Sequence, residues 1–296
     1  MSNKQSPQGF QIKKKSSLPW IIGGVIVVII LLLFWVLKGH SNSEKSINSE
    51  VIKVHYEPAM IGEKSIIEYA NQHIAPDYGV KLEAVGLQDS IQANRAVNDG
   101  VYTATIHQHQ WWLKQVVDAN GFKLTPTTEI FQWAFGVYSD KYKSIQDIPD
   151  EAKIAVPNDL ANQAQALWLL ARDNLIELNP AIEPRVARLK DIKNNPHHFK
   201  FVEIELLSLP RALESVDAAI GYVLQFDAGK IPRSKGIYFP PAPRTFASRL
   251  VVATDKLNDP KVQTLQKIFA DPRLAEFLKT TDDPSVKGVL TPVSSQ

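Results

Sequence analysis

His107 and His109 flank Gln108 at the end of an alternating stretch, YTATIHQ. On a strand, residues i and i+2 face one side, so two imidazoles there could share a metal ion or a proton-transfer site. No third ligand of matching spacing lies nearby, and the chain contains no cysteine. The pair therefore reads as polar residues at the edge of a cleft, with no metal site and no cofactor. Gln110-Trp111-Trp112 follows at once, where indoles either pack a core or line an apolar slot. Phe131, Trp133 and Phe135 add aromatic surface further on. Val156-Pro157-Asn158-Asp159-Leu160-Ala161-Asn162 joins a predicted strand to a predicted helix. Asn158 or Asp159 can cap that helix, and its free N–H groups could hold a ligand carboxylate. No G-x-S-x-G, H-E-x-x-H, Walker or G-x-G-x-x-G motif occurs. Glu129 and Asp217 have no recognisable partner in the sequence, so nothing supports an enzyme.

The elements that must position these residues alternate. VIKVHYE, VKLEAVGL and YTATIHQ read as strands, separated by helical patterns over Gly62–His73 and from a Ser90 cap to Val97. A helix from His109 to Ala119 closes at Asn120-Gly121. A second unit begins with a strand at Lys153–Val156 and a helix over Ala161–Asn174. FKFVEIE, DAAIGYV, GIYFPP and SRLVVAT are further strands. Short helices fall at Leu209–Ser215 and up to Gly229, and two more cover Lys261–Phe269 and Arg273–Lys279. Such alternation predicts parallel sheets with helices on both faces. Two α/β units, one interrupting the other, predict two lobes with a cleft lined by loops at the strand C-termini.

Leu18 to Leu37 is an unbroken apolar run, about as long as a membrane-spanning helix needs to be. Lys13, Lys14 and Lys15 precede it, and Trp20 and Trp35 lie near its ends. The positive-inside rule leaves residues 1–17 in the cytoplasm and sends the rest across the bacterial inner membrane into the periplasm, as a single-pass protein. No small-x-small cleavage site follows closely, so the run reads as an uncleaved anchor at residues 18–37. Residues 38–50 form a polar tether and residues 51–296 the main domain. Without the six lysines and two glutamates of the first 50 residues, the net charge of +2 becomes −2 over residues 51–296. No basic stripe is visible, which argues against nucleic acid as a partner.

From roughly Val51 to Lys279 the chain resembles the NlpA/MetQ family, the methionine-binding proteins of bacterial ABC importers. The resemblance is carried by LQDSIQANRAVNDG, TATIHQHQWWL, KSIQDIPDEAKIAVPND, FVEIELLSLPRAL and RLVVATDK. It implies a type 2 periplasmic-binding-protein fold, preceded here by the transmembrane helix in place of a lipid. Lobe one would take about 51–135 and 248–296, and lobe two about 141–240. The implied partners are a small-molecule ligand and the ABC permease and ATPase subunits.

The ligand site departs from the family pattern. Gln108 and His109 match, but Ile106 and His107 stand where family members commonly carry an aromatic pair. Trp112 stands at a family tyrosine, and the family's S-D-Y is Gln88-Asp89-Ser90. Asn158, Asp159 and Asn162 match an N-D-x-x-N-x-x-R stretch whose arginine, the grip for an amino-acid carboxylate, is Gln165. An asparagine after V-D-x-A-V-I is missing, with Gly221 or Tyr222 in its place. Arg249 lies near another family asparagine and could supply the lost cation. The resemblance thus names His107, His109, Trp112, Trp133, Asn158, Asn162, Gln165, Tyr222 and Arg249 as ligand-binding candidates. The function it implies is a tethered binding protein for methionine or a related small solute. The alternatives are a transport-independent interaction or sensory module on the same fold, or an enzyme using His107 and His109 as acid and base.

Overall fold

A computed structural model of the chain describes residues 50–294. The apolar run at 18–37 and the tail before it lie outside the described residues, as does nearly all of the tether. Among the described residues no helix is long and apolar enough to cross a membrane.

The chain opens with β1 (Glu50–Tyr56), α1 (Ile61–His73), β2 (Val80–Gly86), α2 (Ser90–Asn98), β3 (Ala104–Thr105) and α3 (Gln110–Asn120). Next come β4 (Leu124–Glu129), β5 (Gln132–Trp133) and β6 (Phe135–Tyr138). The second half begins with β7 (Lys153–Pro157), α4 (Leu160–Arg172), a small hairpin of β8 (Glu177–Leu178) and β9 (Ile192–Asn194), and β10 (Lys200–Ile204). It continues through α5 (Leu209–Ala212), β11 (Ala218–Tyr222), α6 (Val223–Ala228), β12 (Gly236–Tyr238) and β13 (Arg249–Ala253). The chain ends with α7 (Pro260–Phe269), α8 (Pro272–Thr280) and β14 (Leu290–Thr291).

Two five-stranded sheets result, ordered β2-β1-β3-β13-β4 and β10-β7-β11-β6-β12. The βαβ crossovers run parallel as expected, with Ile52 opposite Leu82 and Val202 opposite Ala155. Both sheets are nonetheless mixed, which corrects the expectation of purely parallel ones. Strand β13 runs antiparallel to β3 and β4, and β6 runs antiparallel to β11 and β12. These are the strands that carry the chain between sheets, so they arrive without a crossover helix. Strand β5 pairs with β14, whereas β6 already belongs to the second sheet, so the crossing falls at Ala134. This is earlier than the 135–141 interval expected.

The crossing is anchored by burial. Phe131, Trp133 and Phe135 are buried in one apolar cluster with Ile52, Val54 and Ile66 of the first sheet side and Ile154, Leu167 and Ile220 of the second. Each such side chain contributes about 1.5–3 kcal/mol when taken fully out of water. Caps set the helix starts. Asp89, rather than the expected Ser90, accepts from the Ile91 and Gln92 N–H groups, because a carboxylate reaches the free donors and adds charge at the positive helix end. Asp259 and Asp271 cap α7 and α8, each followed by proline at the first turn.

Strand β3 is shorter than the expected YTATIHQ. After Thr105 the chain is taken over by residues entering β13. The Ser248 hydroxyl donates to the Ile106 carbonyl at 2.6 Å, and the Arg249 N–H donates to the Gln108 carbonyl at 3.0 Å. This clamp fixes the segment carrying His107 and His109.

Candidate ligand-binding site

The parallel strands end on a common cavity of about 510 Å³. Glu57 and Met60 follow β1, Gln88 and Ser90 follow β2, and His107, Gln108 and His109 follow β3. Across the cavity, Asn158, Asp159 and Asn162 follow β7, Glu205 to Leu207 follow β10, and Tyr222 ends β11. Carboxyl ends of parallel strands are where an open α/β sheet leaves a crevice, because the connections on either side turn away there. The volume suits a small organic molecule.

His109 is the N-cap of α3. Its Nδ1 accepts the Trp112 N–H at 3.3 Å, which leaves the proton of the neutral ring on Nε2. Burial lowers the His109 pKa to about 4, so the ring is neutral at pH 7. Asn162 is the hub of the opposite wall. Its amide N–H groups donate to Asp159, and its Oδ1 accepts the Tyr222 hydroxyl at 2.7 Å. Burial, reinforced by the nearby charge of Asp159, holds the Tyr222 hydroxyl well above its ordinary pKa. It is therefore a donor, not a phenolate. The Gln108 amide is held in a reciprocal pair with Asn94, at 2.6 and 3.0 Å.

His107 ends a relay. His55 Nε2 lies 2.9 Å from the Leu87 carbonyl, which can only accept, so that nitrogen carries the proton. His55 is fully buried, and burial lowers its pKa, leaving Nδ1 bare to accept the Thr105 hydroxyl at 2.8 Å. Thr105 has one proton, so at 2.6 Å His107 Nδ1 must donate to it. Burial, with His55 beside it, lowers the His107 pKa well below the usual value, so the ring is neutral and its Nε2 is a bare acceptor. That atom is buried and has no hydrogen-bond partner among the described residues.

Of the residues singled out from the sequence, the structure brings His107, His109, Trp112, Trp133, Asn158, Asn162 and Tyr222 together on the cavity. Gln165 is behind the wall, its amide 2.9 Å from the Tyr222 hydroxyl. Arg249 is elsewhere. Its guanidinium meets Glu129 at 2.7 Å and reaches the Thr127 carbonyl at 3.5 Å, a largely buried pair at the edge between β13 and β4. Glu129 therefore has the partner that its sequence context did not reveal, and Arg244 adds a second at 2.6 Å. Asp217 is held by Lys141 at 2.7 Å.

Sequence reasoning missed Glu57, Glu205 and Gln225, which follow strands or open a six-residue helix without any motif. Gln225 Oε1 accepts the Tyr222 N–H at 3.3 Å, and its buried Nε2 has no partner among the described residues. Glu63, behind Met60, is fully buried. Desolvation, with the Glu57 charge beside it, pushes its carboxyl well above the usual range, against the Glu57 N–H, which favours the charged form. Among the described residues no group of three or more His, Cys, Asp or Glu side chains could hold a metal ion.

Comparison with known proteins agrees with this geometry. Lipoprotein 28 of Escherichia coli K12 is 30% identical over 223 residues, covering 74% of this chain and 81% of that protein. The D-methionine-binding lipoprotein MetQ of Salmonella typhi is 28% identical, over 76% of this chain and 84% of its own length. A nutrient binding protein from Burkholderia cenocepacia, solved bound to methionine, superposes with a TM-score of 0.66 at 28% identity, covering 82% of this chain and 98% of that one. The two sheets with their intervening cavity are thus an α/β two-lobed substrate-binding-protein fold. The family model described as NlpA lipoprotein matches residues 58–290, and the chain belongs to that family.

Proposed function

We propose that this protein is the extracytoplasmic solute-binding component of an ABC importer, presenting a small amino acid or related organic solute to permease and ATPase subunits. The observation that carries this reading is the cavity of about 510 Å³ at the strand ends, walled from both sheets by His109, Asn162 and Tyr222. Two relatives whose names or titles include methionine make that amino acid the first ligand to try. Residues 18–37 serve as the membrane anchor, with residues 1–17 cytoplasmic and the main domain periplasmic. The lobes are about 51–134 with 248–296, and about 135–240, and ligand binding closes one on the other. The protein acts by binding, without catalysis.

Trp112 and Trp133 in the wall provide the test. Titrating the full chain in detergent with amino acids and small amines is expected to give a saturable change in tryptophan fluorescence for a few compounds. A flat response across the panel, from protein shown to carry nothing, would contradict the reading.

A further inference from the structure

The two lobes also meet beside the cavity. Trp111 and Trp112 follow His109 at the start of α3, and Trp112 lines the cavity while Trp111 does not. The Trp111 indole N–H donates to the Thr245 hydroxyl oxygen at 2.7 Å, and the Gln110 amide reaches the same oxygen at 3.3 Å. Thr245 stands just ahead of Ser248, which is tied to Phe131 and Ile106 of lobe one. Lobe one therefore holds the indole by its nitrogen edge, and the ring face can take a different partner.

That partner comes from lobe two. The Arg185 guanidinium carbon lies 4.0 Å from the centre of the Trp111 ring, well inside the roughly 6 Å over which an indole face attracts a cation. Arg185 sits in the single helical turn Pro184–Val186, between β8 and β9. Glu183, two residues away, pairs with the same guanidinium without leaving lobe two. The segment that follows is fastened to the start of α4. The Leu189 N–H donates to Gln163 Oε1 at 3.3 Å, and the Arg188 guanidinium reaches the Asn158 carbonyl at 3.4 Å.

The stack thus joins the start of α3 to a segment carried by the start of α4, and those two starts are facing parts of the cavity wall. A movement that separates His109 from Asn162 also draws Arg185 off Trp111. Arg233 crosses between lobes too, but it is placed differently. It donates to the Pro284 and Lys287 carbonyls at 3.1 and 2.7 Å, just ahead of β14, which pairs with β5 at the crossing. A rotation about the crossing displaces that contact least.

We propose that the Arg185–Trp111 stack is a latch on the closed cleft, which forms as the lobes come together and sets how long a solute stays. This rests on the solute-binding reading above and adds to it a contact that does not touch the solute. Because neither side chain lines the cavity, the latch slows release of every solute by the same factor and leaves the choice among them to the wall.

The chain has no cysteine, so Gln92→Cys and Leu160→Cys can carry a unique pair of spin labels on the full chain. Both positions are exposed at the cavity ends of α2 and α4, one on each lobe. Pulsed dipolar spectroscopy then reads the separation of the lobes with no solute needed. Arg185→Met, which keeps a long side chain and removes the charge, is expected to move part of the population to a longer distance. Trp111→Leu is expected to do the same, and the two together no more than either alone, as for one shared contact. Trp111→Phe, which keeps an aromatic face, is expected to stay near the parent. Release of methionine in stopped flow is expected to quicken about three- to tenfold in Arg185→Met with association unchanged, the span of one cation–π contact. Parent-like distances in both Arg185→Met and Trp111→Leu overturn the latch, as does a double variant whose shift is the sum of the two. Methionine that binds neither parent nor variant counts against the solute-binding reading, and the distances still decide the latch.

Discussion

The Tyr222 hydroxyl lies 2.9 Å from Gln165 Oε1 and 2.7 Å from Asn162 Oδ1. One phenolic proton serves only one oxygen, and turning the Gln165 amide places an N–H against the phenol instead. In either orientation Gln165 is engaged with Tyr222 and is not on the cavity wall. The position from which the family resemblance implies a guanidinium grip has become part of the wall's internal bracing.

Gln165→Arg is therefore expected to change ligand preference, not merely affinity. A guanidinium here would supply the charge that the acidic wall lacks and would favour free amino acids over their amides by about tenfold or more, as charge-assisted pairs do. Titration of the variant with methionine and methioninamide reads this as a ratio. An unchanged ratio would mean that position 165 cannot reach the ligand.

Tyr222→Phe removes the hydroxyl but keeps the ring against Phe135 and Trp133, at 4.7 and 6.1 Å between centroids. Asn162 Oδ1 loses its 2.7 Å donor in a buried wall. A loss of about 1–3 kcal/mol in urea unfolding is expected, with weaker ligand binding as Asn162 loses its position. A variant as stable as the parent would show that water replaces the hydroxyl.

The buried histidines impose a pH dependence on stability. His109 has a folded pKa of about 4, below its unfolded value of 6.5, and His107 is shifted in the same direction. Between these values the unfolded chain binds protons that the folded chain does not, so stability falls as pH drops from 6.5 towards 4. His109 contributes about 1.4 kcal/mol per pH unit in that window, and His107 adds in the same direction. His109→Asn, which keeps a capping side chain, is expected to flatten the slope of unfolding free energy against pH. An unchanged slope would place the protonation elsewhere.

Glu63 acts with the opposite sign. Its folded pKa is raised, so its contribution is fully present below about 4.5 and is lost as pH rises through the folded value. Glu63→Gln keeps an oxygen for the Glu57 N–H. It is expected to melt higher than the parent at pH 8 and to match it at pH 4. A lower melting temperature at pH 8 would mean that the ionised carboxylate is needed there.

Much of this arrangement was legible from residue pattern. The alternation of strands and helices, the two units and the segments at His107–His109 and Asn158–Asn162 all follow from period and capping chemistry. Strand β4, LTPTTE, was not legible, because its threonines and Pro126 do not alternate, and pairing with β13 makes it a strand. The antiparallel strands depend on where the chain crosses between sheets, which local pattern does not encode. Arg249 suits a ligand cation by its charge and its place near a family asparagine. Only the fold puts Glu129 opposite it, with Arg249↔Glu129 as the register of β13 on β4. The polarity of His107 depends on His55 and Thr105, 52 and 2 residues away, and no sequence motif ties the three together.

Native mass spectrometry of the full chain, purified without unfolding and again after refolding, tests the central claim most directly. The account expects one small organic molecule bound before refolding and absent after it, with a mass assignable to an amino acid or a related small solute. A chain that is empty before refolding and ignores every added solute would contradict its reading as a solute-binding protein.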